Sequence, residues 1–261
     1  MTFTAFELLG VIWLVSAIGM AIVWAVSMRV NNVGYVDVAW AGLMAVAALL
    51  AGAFGSGSEL PRTLVALMGS VWGTRLCLHL LVRVLHETED GRYQSLRAAW
   101  GSSKWKFFVF FQMQAVVVAL FSLPFLAAAS RHDNRIDGLM MSAALIWLLA
   151  VTGESLADRQ LARFRGNPAN RGKTCRAGCW SWSRHPNYFF EWLHWFAYAL
   201  LAVGTSWFWI SLAGPILMFA FLYRVSGIPW TEAQSLRTRG DDYRRYQQEV
   251  SAFFPFPPRH S

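Results

Sequence analysis

The chain has 261 residues, 56% of them hydrophobic, with 14 Trp, 19 Phe and a net charge of +8. Such apolar excess excludes an ordinary soluble domain of this size and fits a polytopic membrane protein. The basic residues stand between apolar runs, so the charge reads as membrane topology and no nucleic-acid partner is expected. Three cysteines, with Cys77 inside an apolar run, make no disulfide framework.

The apolar runs predict an all-α, seven-helix transmembrane fold over 6–28, 33–54, 62–85, 107–129, 138–158, 187–204 and 207–226. Each run is near the roughly 20 residues a bilayer requires. The chain reads as a single domain over 1–261 with a basic loop at 159–186 and a polar, basic, amphipathic tail from 227. The first run has no basic leader and reads as a retained anchor. Nineteen Lys and Arg lie at one set of helix ends, against Arg62, Arg131 and Arg135 at the other. That asymmetry predicts cytoplasmic basic loops and C-terminus and an N-terminus outside; if the source is bacterial, the membrane is the cell inner membrane. Arg75 is left inside span three.

The polar groups near or inside the spans are the candidate sites. Asp37 lies about a turn into span two with Trp40 three residues on. It reads either as a helix-start acid favoured by the macrodipole or as a protonated acid donating to a carbonyl. Arg75 needs a carboxylate partner at such depth, and Asp37, Glu154 and Glu191 are the candidates; a structural ion pair and a functional one fit equally. Arg163 to Arg176 reads as a loop touching anionic lipid or as a phosphate cradle built from guanidinium forks. Asp158 lies seven residues before Arg165, on one face if the helix continues. Trp180 to Glu191 packs Arg184, His185, Asn187 and Glu191 at the mouth of a span. A carboxylate inside such a span costs on the order of 3 kcal/mol and is usually paired and functional.

Several chemistries lack their motifs. Glu191 and His194 have no second pair for a carboxylate-bridged metal site. Cys175, Cys179 and His185 lack CxxC spacing, so no metal is expected. No Rossmann, Walker or Gly-x-Ser-x-Gly pattern occurs.

Ser183-Arg184-His185-Pro186-Asn187-Tyr188-Phe189-Phe190-Glu191 resembles the signature of the steroid 5-alpha-reductase-like membrane reductases, closest to their bacterial branch. Asn32 to Trp40 resembles that branch's second-span motif. Asp158 to Arg165, Asn167-Pro168 and Gly172-Lys173 resemble its cofactor loop, and Ser226 to Pro229, Glu232, Gly240 to Tyr246 and Phe254-Pro255 its tail. The Arg-His-Pro core is also similar to isoprenylcysteine-type methyltransferases.

The resemblance implies an NADPH-dependent oxidoreductase that delivers hydride to the C=C of an enone in a steroid or isoprenoid-like lipid. By matching position, Asp158, Arg165, Asn187 and Glu191 are the implied dinucleotide contacts. Lys173, Arg184, His185, Arg224, Tyr243 and Tyr246 are further implied contacts. Asp37 is the nearest equivalent of the family's substrate-holding glutamate. The family's span-three tyrosine is replaced by Trp72, and Tyr35 is the expected substitute as the second catalytic group. Trp40, Trp72 and Arg75 are the implied substrate contacts, and Phe190 stands where the family usually has glycine. Two other readings stay open: an S-adenosylmethionine-dependent lipid methyltransferase, and a non-enzymatic membrane protein.

Overall fold

The computed structural model describes residues 3–101 and 103–259. Ser102, in the expected 86–106 connection, and the last two residues of the expected tail lie outside the described residues. All regular elements among the described residues are helical. The long ones are α1 (Ala5–Val30), α2 (Tyr35–Phe54), α3 (Glu59–His86), α5 (Lys104–Ala128) and α6 (Gly138–Gly166). Between α3 and α5 lies a short helix, α4 (Gly91–Trp100), where the sequence suggests only a connection. The later part is more broken: α7 (Pro186–Leu193), α8 (Trp195–Leu201), α9 (Phe208–Ser211), α10 (Ala213–Ala220), a π turn at Phe221–Val225, α11 (Ile228–Arg239) and α12 (Asp241–Glu249).

Local chemistry sets these boundaries. Thr4 and Glu7 form a reciprocal capping box at the start of α1, and Asn31 ends that helix in the left-handed conformation at φ 52°. Asp90 caps α4 by accepting from the Arg92 backbone N–H at 3.0 Å. Pro186 opens α7, where its missing N–H costs nothing.

Six segments among the described residues are long and apolar enough to cross a membrane: α1, α2, α3, α5, α6 and the run Phe208–Arg239. The protein is therefore multi-pass and its environment is a lipid bilayer. The expected 187–204 span is not one of the six, because the chain breaks at His194 into two short helices.

Packing groups the chain into two compact units. The first holds residues up to Met141 together with Tyr198–Gly214; the second holds Ser142–Ala197 and the residues from Pro215 onward. In the first unit α2 and α3 form the tightest pair. A Cβ on Gly69 would collide with the Ala48 methyl, and one on Gly73 would lie 2.8 Å from the Ala45 nitrogen. Two glycines one turn apart on α3 thus meet the alanine face of α2, the small-residue packing by which membrane helices gain dispersion contact. α1 joins through Gln112 of α5, whose side chain donates to the Ala17 carbonyl at 3.2 Å. Trp40 meets Trp72 and Phe121 edge-on at 6.2 and 5.6 Å, and Trp72 is fully buried.

Gly69→Leu overfills the α2–α3 contact and should cost about 1–3 kcal/mol, read as a lower melting temperature in detergent. Gly10→Ala, on an open part of α1, should melt no lower than the parent protein.

Candidate functional site

In the first unit the polar chemistry gathers where α2 begins. Asn32 accepts from the Gly34 N–H at 2.9 Å and Glu89 accepts from the Val33 N–H at 2.7 Å, so the turn entering α2 is fixed by side chains. Asp37, in the first turn of α2, receives two donors from α4. The Tyr93 hydroxyl donates to Oδ1 at 2.6 Å, and Arg92 Nη2 donates to Oδ2 at 3.2 Å. Asp90 holds the same guanidinium through its Nε at 3.1 Å, and Arg83 reaches Asp90 at 2.8 Å. Arg97 pairs with Glu89 at 2.8 Å. Beside Asp37 and Tyr93 is a cavity of about 20 Å³, bounded also by Asn32, Arg83 and Glu89. That volume is enough for one water molecule.

Electrostatics fixes the proton on the phenol. Burial and then the Asp37 charge raise the Tyr93 pKa well above the ordinary phenol range, against the opposing Arg92 charge. Burial works against the Asp90 charge, but Arg92 and Arg83 outweigh it and hold its carboxyl below the usual range. Tyr93 is therefore a donor at neutral pH, and Asp37 is arranged as an acceptor of two hydrogen bonds. Arg92 and Tyr93, both in a helix the sequence does not announce, are partners of Asp37 among the described residues. Tyr35 opens α2 two positions before Asp37, so its side chain leaves the helix in a different direction. Arg75 is half-buried; Arg131, at 7% exposure, is more deeply buried than Arg75.

The second unit has its own polar centre, on Glu232. Arg184 Nε donates to Glu232 at 2.7 Å, Gln247 donates at 2.8 Å, and the His185 ring and Tyr243 hydroxyl stand at 3.3 and 3.4 Å. Arg184 also donates to the carbonyls of Gln247 and Val250, at 3.0 and 2.7 Å. The Tyr246 hydroxyl donates to the Trp180 carbonyl at 2.5 Å, and Ser183 donates to the Phe253 carbonyl at 2.8 Å. Arg176 bridges Asp242 and Glu249 at 3.2 and 2.5 Å. Four of the expected cofactor residues, Arg184, His185, Tyr243 and Tyr246, are thus committed to locking the tail onto 176–184.

The remaining expected residues are arranged differently. α6 runs on to Gly166, so Asp158 and Arg165 share one helix two turns apart. Asn187, at the start of α7, donates to Asp158 Oδ1 at 3.3 Å. Arg165, Lys173 and Arg224 are exposed, Arg224 within the π turn. Glu191 is buried in α7. Phe190 is accommodated because Gly153 faces it: a Cβ there would lie 2.5 Å from the ring. Of these residues Asp158 and Asn187 touch each other, while Arg165 and Lys173 are exposed. No metal-ligand cluster of His, Cys, Asp or Glu occurs among the described residues.

The His185 environment gives a pH signature. Burial lowers its pKa below the ordinary 6.5, although Glu232 opposes this. As pH falls below about 6.5 the unfolded chain takes up a proton that the folded state resists, so stability is lost on acidification and regained above that pH. Melting temperatures from pH 7.5 to 5 should fall more steeply for the parent protein than for His185→Gln; equal slopes would show that His185 does not titrate in this window.

No curated protein and no solved structure matches the chain. Residues 23–250, which hold α2, α4, the 159–186 loop and the tail network, match the family described as a protein of unknown function (DUF1295), and the chain belongs to it.

Proposed function

We propose that the protein is an NADPH-dependent membrane reductase that saturates the C=C of an enone carried by a steroid or isoprenoid-like lipid. The observation that carries this reading is the Tyr93–Asp37 hydrogen bond at 2.6 Å, with Arg92 on the second carboxylate oxygen. A buried phenol that stays protonated keeps a proton it can give to a carbonyl oxygen that displaces Asp37 as its acceptor. The resemblance of 183–191 and 158–173 to the steroid 5-alpha-reductase-like reductases supplies the reaction class.

NADPH, when bound, supplies the hydride. In this reading Asp158 and Asn187 hold a ribose, Arg165 and Lys173 meet phosphates, and Glu191 contacts the dinucleotide from α7. Arg224 is a further phosphate candidate because it is exposed. Tyr93 turns its hydroxyl from Asp37 to the substrate carbonyl, and Arg92 keeps Asp37 in place. As hydride adds to the β carbon, the C=C electron pair moves toward the carbonyl oxygen, and the Tyr93 hydrogen bond stabilises that enolate. A proton from water or Tyr93 completes the α carbon. Trp40 belongs to the apolar wall of the substrate region.

The same reading includes seven crossings with basic ends in the cytoplasm. α7 and α8 would form the sixth crossing, together about 24 Å long, short of the roughly 30 Å hydrocarbon core and completed by the residues that follow.

NADPH consumption by the reconstituted protein should depend on an added enone lipid. Tyr93→Phe should lower turnover about 10²–10⁴-fold with NADPH affinity unchanged, and Asp37→Asn should do the same. Asp158→Ala should weaken NADPH binding instead. Full turnover in Tyr93→Phe would remove the assigned acid, and an unchanged NADPH affinity in Asp158→Ala would remove the cofactor assignment.

A further inference from the structure

In the second unit, residues 251–259 form a loop pinned at both ends. The Arg184 N–H donates to the Ser251 carbonyl at 2.8 Å, and the Arg259 N–H donates to the Glu249 carbonyl at 2.9 Å. Between the pins the Phe256 N–H donates to the Trp182 carbonyl at 3.0 Å. Phe253 is buried, whereas Phe254 and Phe256 are 41% and 59% exposed. Pro255 and Pro257 are exposed as well, and Trp182, tied beside Phe256, is 49% exposed. The result is one continuous apolar surface, of the kind that marks a contact with something other than water.

The place where the loop is docked says what covers it. Phe253 meets Phe219 edge-on at 5.4 Å and Tyr223 at 6.3 Å. Phe254 stacks on Phe219 at 6.4 Å and meets Trp192 edge-on at 5.8 Å. Phe219, in α10, and Tyr223, in the π turn, belong to the run Phe208–Arg239, which is apolar enough to cross a membrane. The first charge in that run is Arg224. Phe219 therefore lies about 7 Å inside the polar end of the run. A surface that continues the span at this depth meets the same surroundings as the span, which are lipid just below the headgroups. Aromatic side chains favour that level of a bilayer. Arg224 and Arg259, both exposed, supply the positive charge that anionic headgroups match.

The backbone fits the same surroundings. Irregular chain in a membrane is costly because its N–H groups find no water. Three of the residues 254–258 are proline and carry no N–H. The N–H of Phe256 is taken by Trp182.

We infer that the 251–259 loop is a membrane anchor seated in the interface of one leaflet. Phe254, Phe256 and Trp182 enter the upper acyl-chain region, and Arg224 and Arg259 meet anionic headgroups. Because Arg184 pins the loop and also holds Glu232, the bilayer backs the tail network from outside. The anchor is independent of the reductase reading.

The test places the photo-reactive residue p-benzoylphenylalanine at position 254 or 256 of the full-length protein. Each substitution exchanges one exposed ring for a larger one. Position 245, on the exposed polar face of α12, is the comparison. The proteins are reconstituted in nanodiscs of equal phosphatidylglycerol and phosphatidylcholine, irradiated, and read by mass spectrometry. Lipid adducts should form at 254 and 256 in about tenfold higher yield than at 245. Phosphatidylglycerol adducts should outnumber phosphatidylcholine adducts by about fivefold, a preference lost in Arg224→Gln with Arg259→Gln. Lipid yields at 254 and 256 no higher than at 245, or cross-links there to a second copy of the chain instead of lipid, would overturn the anchor. Equal yields on the two lipids would overturn the role given to the arginines.

Discussion

The interaction on which the first unit depends is the coordination of the Asp37 carboxylate. A charged oxygen pair at the start of a membrane helix must be compensated or it destabilises the fold. Here compensation comes from α4, which contributes Tyr93 and Arg92 to one carboxylate. The same helix is capped by Asp90, which also steadies Arg92, and its approach to α2 is held by Glu89 on the Val33 N–H. The site and the fold of this segment are therefore one structure. A change at Asp37 takes the acceptor from a buried phenol and one of two carboxylate partners from Arg92, while Glu89 and Asp90 still hold the short helix.

Glu232 plays the corresponding part in the second unit. Its carboxylate gathers Arg184, Gln247, His185 and Tyr243, and the arginine goes on to satisfy two carbonyls at the end of α12. Breaking such a buried pair by removing one partner typically costs about 3–5 kcal/mol, because the other charge is left uncompensated. The conspicuous Arg-His-Pro string is thus first a clamp that closes the tail over the loop. Of the dinucleotide contacts that the resemblance implies, those outside the clamp are Asp158 and Asn187, in contact with each other, the buried Glu191, and the exposed Arg165, Lys173 and Arg224.

Much of this was legible in the sequence. Long apolar runs announce α1, α2, α3, α5 and α6 because hydrocarbon leaves the backbone few options but helix. Asp37 stood out as an acid among apolar neighbours, but the expected end of the fifth span at 158 was too early: α6 runs on to Gly166, which is what puts Asp158 and Arg165 on one helix. Tyr93 and Arg92 were not legible. They lie in a connection whose only warning was its length, 86–106, well beyond the usual loop between helices. Their role follows from a contact across 56 positions of sequence, which no local pattern encodes. The break at His194 was also hidden, since apolar composition continues through it. Arg131 read as a plain loop cation because its burial depends on Asp133 and Asp137 folding back on it.

The cofactor proposed for this protein is tested most directly by calorimetric titration of the detergent-purified protein with NADPH, NADH and S-adenosylmethionine. Saturable binding of NADPH, weaker binding of NADH because the 2'-phosphate is missing, and no response to S-adenosylmethionine are the expected results. Binding of S-adenosylmethionine alone, or silence with all three in a folded sample, would contradict it.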